Sequence, residues 1–585
     1  MNVIGLNAFH GDSSACLFID GVMKSAVEEE RFRRIKHWAG FPSKSIEFCL
    51  QANNLSLSDI DIIAINTDPK AARFKKLSYV LSGNASFALI KEKLTIREKR
   101  KSILEHLQAQ FSGQVFNGKI EYVEHHLAHL ASAYSVSPFK QASIISVDGF
   151  GDFASAAWGV GNNGNVDLLK RVYFPHSMGV FYQALTQYLG FPNYGDEYKV
   201  MGLAPYGEAI YRDEMDEIVK LQADGSFALN LRYFIHHKES IAYDWNDKSP
   251  QISRLYSDVL TGLLGPARQK GEPLELKHKD LARSIQDCYE RTFFHMLNCL
   301  HKQHPTDNLT IAGGCGMNSV ANGKVHLHTP YKNIYVQSAA GDAGGAIGAA
   351  VVAGQRHGAK QDFVMSHSYW GASFDADHLA GVIGKYSDEL QKAGCIVTMN
   401  VDLAVLVDQV SDYIIDGNVI GWFQGAMEWG PRALGNRSIL ADPRRADMKD
   451  ILNLKIKRRE SFRPFAPSVL RDKVNDWFES EADVPFMMKV FQIKKQQRDK
   501  IPAVTHVDGS GRLQTVTQES NRQYYALIKC FYEKTNVPML LNTSFNENEP
   551  VVCQPEEALD CFLRTSMDVL VLGSHMVVRQ TGNGH

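Results

Sequence analysis

Two histidines and two aspartates in this sequence have the types and spacing of a metal site. His125 and His129 stand four residues apart, so on a helix both side chains would share one face. Asp148 follows an apolar strand-like run, and Asp342 opens a helix-like run. Imidazole and carboxylate ligands together favour a divalent first-row metal such as iron, manganese or zinc. The position of Asp342 also fits a helix N-cap, which is the structural alternative.

Two glycine-rich segments follow predicted strands, at 313–318 and 341–348. Glycine lets backbone amides approach a ligand closely, and a helix N-terminus attracts anions, so these segments suit a nucleotide phosphate. Tight turns or close helix packing would need the same glycines. Neither segment matches the P-loop or the dinucleotide-binding fingerprint.

Basic residues are concentrated in one region of an almost neutral chain. The 63 Lys+Arg and 65 Asp+Glu leave a formal net charge of −2, which argues against a general nucleic-acid or membrane binder. From 428 to 467, arginines are interleaved with glycine, proline and aromatic residues. Guanidinium groups in such a setting suit phosphate oxygens, and a surface patch for RNA is the alternative.

His10 lies between the first predicted strand and the hairpin that follows it. Its ordinary pKa is close to neutrality, so it could act as a general base. A single loop histidine is usually inert, and only the other motifs make this one a candidate.

The elements that must position these residues alternate between strands and helices, which predicts an α/β fold. Residues 3–7 predict a strand, and Asp20-Gly21 between two apolar runs predicts a hairpin. Further strands are predicted at 60–66, 142–147, 153–160, 309–312 and 333–336, and helices at 101–111, 181–189 and 281–300.

The length of 585 residues allows two to four domains. The pattern breaks at 361–373, and we place a domain boundary near residue 370. A strand at 396–399, a helix at 403–415 and a strand at 419–423 then begin a new series. Polar stretches at 242–252 and 268–280 have the character of insertions. We find no internal repeat.

The nine cysteines are odd in number, scattered and never spaced C-x-x-C, which is typical of a reducing compartment. The N-terminus lacks a secretory pattern, and no apolar run reaches the ~18 residues of a membrane span. We therefore expect a cytoplasmic protein.

Taken in order, these motifs resemble the NodU/CmcH family of ATP-dependent O-carbamoyltransferases over nearly the whole chain. The matching segments are HGDS at 10–13, EERF at 29–32, HHLAH at 125–129, YKVMGLA at 198–204, GGCGMN at 313–318, GPRALGNRS at 430–438, RPFAP at 463–467 and NTSFN at 542–546. So many ordered matches make chance agreement improbable.

The resemblance implies two α/β domains. Residues 1–370 would have the actin/sugar-kinase (ASKHA) fold and a metal site, and residues 371–585 would be YrdC-like. The second domain would make carbamoyl-adenylate from carbamoyl phosphate and ATP with its magnesium. The first would pass the carbamoyl group to a hydroxyl of a small molecule, such as an antibiotic or another natural product.

The resemblance also implies roles for individual residues, with His10 as the base that deprotonates the acceptor. The metal, iron by resemblance, would be held by His125, His129, Asp148 and Asp342. Carbamoyl phosphate and ATP would be bound by Arg432, Lys457, Arg463, Arg512, Asn542 and Ser544. Carbamoyl-adenylate would be bound by Gly149, Lys199, Gly313, Gly314 and Asn318.

Three other functions use related modules. A tRNA threonylcarbamoyl transferase would need an RNA-binding surface, against which the near-neutral charge argues. A hydrogenase-maturation carbamoyltransferase carries zinc fingers, and no C-x-x-C pair occurs here. An actin-like or chaperone-like scaffold would leave the arginine-rich second half without a purpose. We expect neither a nucleic-acid nor a membrane partner, and the sequence leaves the acceptor and the oligomeric state, including a homodimer, open.

Overall fold

Strands and helices alternate through both parts of the chain in the computed structural model, which confirms the α/β prediction. The structure describes residues 1–81, 103–239, 243–244, 249–361, 363–457, 460 and 462–580. Two compact units are formed by Met1–Met365 and Ser366–His585. The predicted boundary near 370 lies among the first residues of the second unit.

The first unit contains most of the predicted strands and helices. Its strands are β1 Asn2–Asn7, β2 Ser14–Ile19, β3 Val22–Glu28, β4 Ile62–Ile65, β5 Lys119–Tyr122, β6 Gln141–Gly151, β7 Ala154–Asn162, β8 Asn165–Tyr173, β9 Val219–Leu221, β10 Phe227–Leu229, β11 Tyr243–Asp244, β12 Gln251–Ile252, β13 Asn308–Ala312 and β14 Asn333–Tyr335. Its helices are α1 Glu30–Arg33, α2 Ser43–Gln51, α3 Arg73–Leu81, α4 Ile103–Gln110, α5 His125–Tyr134, α6 Met178–Tyr188, α7 Glu197–Leu203, α8 Arg212–Ile218, α9 Val259–Leu264, α10 Leu276–Gln303, α11 Ser319–His328 and α12 Gly345–Arg356.

The two larger sheets of this unit share one topology. The first has the order β3-β2-β1-β4-β5, and the second has the order β8-β7-β6-β13-β14 when read in the same direction. In each, three antiparallel strands are followed by two strands added in parallel. The fold is thus repeated although the sequence shows no repeat, because the pattern of buried positions rather than residue identity specifies a strand.

Helices α5 and α12 are equivalent in this repeat, since each follows the last strand of its sheet. They cross closely, and a Cβ atom on Gly348 of α12 would lie 1.8 Å from the carbonyl oxygen of Ala128 on α5. Helix α12 also packs against β1, where a Cβ on Gly5 would lie 2.0 Å from the carbonyl oxygen of Ala346. Glycine is therefore required for this packing.

The second unit is built on one nine-stranded sheet with the order β15-β23-β22-β16-β17-β21-β18-β20-β19. Its strands are β15 Cys395–Thr398, β16 Ile420–Phe423, β17 Arg437–Ala441, β18 Ala466–Leu470, β19 Lys489–Gln492, β20 Ser510–Val516, β21 Met539–Ser544, β22 Val569–Leu572 and β23 His575–Arg579. Its helices are α13 Ala376–Lys385, α14 Ser387–Lys392, α15 Leu403–Ile415, α16 Met448–Leu452, α17 Val474–Trp477, α18 Arg522–Thr535 and α19 Pro555–Arg564. The buried faces of α15, α18 and α19 join the strands in one apolar core.

Some boundaries differ from the sequence prediction. The helix expected at 281–300 is α10, Leu276–Gln303, which starts earlier because Glu275 and His278 form a reciprocal capping arrangement at its N-terminus. The last residues of the polar stretch 268–280 are therefore helical. Of the other stretch, residues 242 and 245–248 lie outside the described residues. No helix in the described ranges is long and apolar enough to cross a membrane.

The crossing of α5 and α12 yields a stability prediction. Gly348→Ala should lower the free energy of unfolding by about 2 kcal/mol or more, because the added methyl group forces two packed helices apart. Gly262→Ala is the matched control, since nothing in the described structure lies within 4 Å of its Cβ position on helix α9. That change should stabilise by up to about 1 kcal/mol. Urea unfolding measures both, and equal effects would contradict the proposed crowding.

Candidate active site

The paired histidines lie on a helix, as their spacing predicts. Helix α5 begins at His125 because the Glu124 carboxylate accepts a hydrogen bond from the Leu127 amide at 2.9 Å. Glu124 is itself held by Arg171 at 3.0 Å. His125 and His129 are both buried, and their Nε2 atoms lie 3.0 Å apart.

The two predicted aspartates approach these nitrogens from the second sheet, where Asp148 lies in β6, and from the turn before α12, which carries Asp342. Asp148 Oδ2 lies 3.1 Å from Nε2 of His125 and 3.3 Å from Nε2 of His129. Asp342 Oδ1 lies 3.5 Å and 3.3 Å from the same two nitrogens. The structure therefore brings all four predicted metal ligands together, with one ligand atom of each within 4.8 Å of the others.

This arrangement fits a divalent metal ion. Bonds of about 2.1 Å from a central ion place neighbouring ligand atoms about 3 to 3.5 Å apart, which matches the separations here. Within the described structure Asp342 Oδ1 is buried and has no hydrogen-bond donor, so a cation would satisfy it. Burial opposes protonation of His129, yet Asp148 and Asp342 outweigh it and raise the pKa of His129 to about 10. The cluster thus favours positive charge.

Two glycines that the resemblance assigned to carbamoyl-adenylate help to place Asp148. The Gly314 amide donates a hydrogen bond to Asp148 Oδ1 at 2.9 Å, which turns Oδ2 toward the histidines. Gly313 has φ +88, and a Cβ there would lie 2.2 Å from the Val147 carbonyl oxygen, so this turn requires glycine. Nothing described lies within 4 Å of a Cβ built on Gly149, which leaves space beside Asp148.

His10 lies beside the histidine–aspartate cluster, with its ring centroid 5.3 Å from that of His125. Its loop is fixed by Asn7, whose side-chain amide donates to the carbonyl oxygens of Gly11 and Asp12 at 2.9 Å. A candidate base is therefore held next to a candidate metal site by the first hairpin of the fold.

Lys199 and Asn318, the other predicted carbamoyl-adenylate ligands, both bind protein groups. Lys199 forms an ion pair with Asp196 at 2.8 Å. Asn318 caps α11 and exchanges two hydrogen bonds with the side-chain amide of Gln286, at 2.9 and 3.1 Å. Contact between either residue and an adenylate stays a prediction.

In the second unit, four predicted phosphate ligands gather at one edge of the sheet. The register pairs Ser438 with Ser544 and Ala466 with Asn542, and strand β20 runs parallel to β18. The starts of β17, β18 and β20 and the end of β21 therefore lie at the same edge. The residues placed there, all half-buried, are Arg432, Arg463, Arg512 and Ser544.

Lys457 and Asn542 shape this edge through contacts within the protein. The buried Lys457 ammonium donates to the carbonyl oxygens of Ser544 and Asn546 at 2.6 and 2.7 Å and to Asn546 Oδ1 at 2.7 Å. The Asn542 amide donates to Ser468 Oγ at 3.0 Å and to the Ala433 carbonyl oxygen at 3.1 Å, beside Arg432. Lys457 therefore holds the turn after Ser544, and Asn542 holds the loop that carries Arg432.

Sequence reasoning missed two residues that build the Arg432 loop. The Glu428 carboxylate accepts hydrogen bonds from the backbone amides of Leu434, Asn436 and Arg437 at 2.8 to 3.1 Å. The Arg437 guanidinium is buried 3.6 Å from the Phe423 ring centroid. Burial lowers the pKa of Arg437 to about 10 despite Glu428. In the sequence, a carboxylate and an arginine flank a glycine-rich turn. This pattern can be interpreted as a buried structural pair only once the structure is known.

Comparison with known proteins places the chain in a family. Residues 2–351 match the family described as Carbamoyltransferase N-terminus, and residues 411–579 match Carbamoyltransferase C-terminus. Nodulation protein NolNO of Sinorhizobium fredii is 38% identical over 584 residues, which cover 99% of this chain and 80% of that protein. An uncharacterized protein of Synechocystis sp. is 37% identical over 627 residues, which cover 99% and 97%.

The chain belongs to the carbamoyltransferase family, which confirms the resemblance. Among solved structures, HypF of T. kodakarensis is 14% identical with a TM-score of 0.30, covering 61% of this chain and 47% of that one. The repeated strand order of Met1–Met365 is itself that of the actin and sugar-kinase fold, as the resemblance implied.

The loop that follows α1 packs on the His10 hairpin through an ion pair whose strength depends on pH. His37 Nδ1 lies 2.8 Å from Asp12 Oδ1, and the two side chains are 32% and 28% exposed. Burial opposes the charge on His37, but Asp12 and Glu30 outweigh it and raise its pKa to about 9. Since this pKa exceeds the ordinary value, the stabilisation is complete below about pH 6.5 and is lost as pH rises through about 9.

We predict that His37→Gln lowers the free energy of unfolding by about 1 kcal/mol at about pH 6, and by less at about pH 10. In the Asp12→Asn background this pH dependence should shrink, because the paired charge is gone. Urea unfolding at both pH values measures the effect. A cost for His37→Gln that is the same at both would contradict the ion pair.

Proposed function

We propose that this protein is an ATP-dependent O-carbamoyltransferase that works through two separate sites. The unit Ser366–His585 would use one water molecule to hydrolyse carbamoyl phosphate to carbamate and phosphate. The carbamate oxygen would then attack the α-phosphorus of ATP and form carbamoyl-adenylate, with release of pyrophosphate. The unit Met1–Met365 would pass the carbamoyl group to a hydroxyl of a small molecule, with release of AMP. The observation that carries the proposal is His10 beside the His125–His129–Asp148–Asp342 cluster, in a chain of this family.

The arginine edge suits the first half-reaction. Carbamoyl phosphate and ATP together carry several negative phosphate oxygens, which repel one another unless fixed cations lie between them. Arg432, Arg463 and Arg512 stand at one sheet edge, and guanidinium groups bind phosphate through paired charge-assisted hydrogen bonds. Lys457 orders the turn of Ser544, whose hydroxyl accepts from the Lys457 ammonium at 3.3 Å and donates to Asn546 Oδ1 at 2.8 Å.

The cluster beside His10 suits the second half-reaction. A carbamoyl group is a poor electrophile, because its nitrogen donates electron density into the carbonyl, so the acceptor hydroxyl needs a base. His10 would take the hydroxyl proton, since its ordinary pKa lies near neutrality. A divalent metal ion bound by His125, His129, Asp148 and Asp342, iron in our proposal, would supply Lewis-acid polarisation of the carbonyl oxygen. AMP would be the leaving group.

The first half-reaction gives a test of the arginine edge. Arg463→Ala should slow pyrophosphate release from ATP plus carbamoyl phosphate by about 30-fold or more, because a charge-assisted hydrogen bond contributes about 2 kcal/mol. Arg471→Ala is the matched control, since Arg471 is 38% exposed and pairs with Asp483 at 3.5 Å; it should keep the rate. Unchanged release in a folded Arg463→Ala variant would remove this residue from the mechanism.

The separation of the two sites gives another test. His129→Ala should lose bound metal and carbamoyl transfer but keep pyrophosphate release. Metal analysis of anaerobically purified protein measures the first effect, and labelled carbamoyl phosphate with a panel of hydroxylated small molecules measures the second. His357→Ala should retain both, because His357 lies at the C-terminal end of α12, away from Asp342, and pairs with Glu121 at 2.9 Å. Loss of both half-reactions in folded His129→Ala protein would contradict two separable sites.

A further inference from the structure

We propose that Asp152 is a positioning residue that holds His125 and Asp148 at the separation a metal ion requires, without binding the ion itself. The inference rests on the metal site of the proposed function. Asp152 lies in the turn between β6 and β7, a few residues after Asp148. Its carboxylate does not belong to the group of four converging ligands.

Both carboxylate oxygens of Asp152 are occupied by protein donors. Oδ2 accepts a hydrogen bond from the His125 amide at 2.9 Å and another from the Asp68 amide at 2.7 Å. Oδ1 accepts from the Thr67 hydroxyl at 2.9 Å. A carboxylate with three short donors is already satisfied, so Asp152 acts through the groups it binds.

These bonds join three segments that are distant in sequence. Thr67 and Asp68 follow β4 in the first sheet, and His125 starts the helix that carries both histidine ligands. Asp152 itself lies in the turn that follows β6, the strand that carries Asp148. One side chain therefore fixes the histidine helix, the end of β6 and the first sheet relative to one another.

The turn is also in direct contact with the His125 ring. A Cβ atom on Gly151 would lie 2.0 Å from Cδ2 of His125, so a small movement of the turn must move the imidazole. Asp152 and Phe153 have φ values of +50 and +75, which are unfavourable for residues other than glycine. Such conformations persist where surrounding contacts enforce them, and the three bonds to the Asp152 carboxylate do so here.

The position of the carboxylate at the start of α5 adds an electrostatic contribution. A negative charge near a helix N-terminus is favourable, because the first backbone amides have no partner within the helix. Glu124 also caps this end of α5, but within the described structure its carboxylate bonds to Leu127 and Arg171 and not to the β6–β7 turn. A Glu124 variant therefore weakens the helix cap without removing a bond to the β6–β7 turn, and it serves as the control for Asp152.

The test compares Co²⁺ affinity of the chelator-treated full chain with that of Asp152→Ala, Asp152→Asn and Glu124→Ala. Asp152→Ala should bind Co²⁺ 10- to 100-fold more weakly, in the range typical for residues that orient metal ligands. Asp152→Asn should bind within about 3-fold of wild type, because its amide oxygen can accept both backbone N–H bonds while its NH₂ group donates to the Thr67 hydroxyl. Glu124→Ala should lose thermal stability but keep its affinity. Titrations are followed by visible absorption, well below each melting temperature.

Wild-type affinity in Asp152→Ala would overturn the inference, and so would an Asp152→Asn variant as weak as Asp152→Ala, since charge rather than hydrogen bonding would then be responsible. Hydrogen exchange of the metal-free proteins provides an independent readout. Asp152→Ala should speed exchange at the Asp68 amide, whereas Glu124→Ala should not. If the wild-type protein binds no Co²⁺, the metal site of the proposed function fails. Unchanged exchange at the Asp68 amide in Asp152→Ala would by itself overturn the positioning role.

Discussion

The close crossing of helices α5 and α12 is the constraint on which the first unit depends. Gly348 lets the two backbones approach until no side chain fits between them. The N-terminal ends of the helices carry His125 and, in the turn before α12, Asp342. Because the helices cannot separate without losing this contact, Asp342 Oδ1 lies within 3.5 Å of the Nε2 atoms of His125 and His129.

The repeated topology explains why such a site forms at this place. Each copy ends in a helix that packs on the sheet of the other copy, so two equivalent helix starts meet between the copies. The first hairpin of each copy also points there, with His10 in one and Asp148 and Asp152 in the other. In many proteins, catalytic and binding residues lie on loops whose positions are set by a rigid sheet.

The second unit places several cations close together, some of them buried. Half-buried arginines lie at one edge of its sheet, while Lys457 and Arg437 donate hydrogen bonds to backbone carbonyl oxygens. Burying these cations is tolerable because the Lys457 ammonium and both terminal nitrogens of the Arg437 guanidinium are hydrogen-bonded. The result is a set of loops that place Arg432, Arg463 and Arg512 at one edge of the sheet.

The sequence by itself determined the local features. It specified the α/β class, the Asp20-Gly21 hairpin, the helical spacing of His125 and His129, and the family, because periodicity, turn chemistry and ordered motifs act over short range. Only the tertiary structure decided the rest: the doubled sheet, the meeting of His10 with the histidine–aspartate cluster, the structural use of Lys457, Gly314 and Asn542, and the place of Asp152. Those features depend on which distant segments come into contact, and a contact between distant segments is a property of the packed chain that no local pattern encodes.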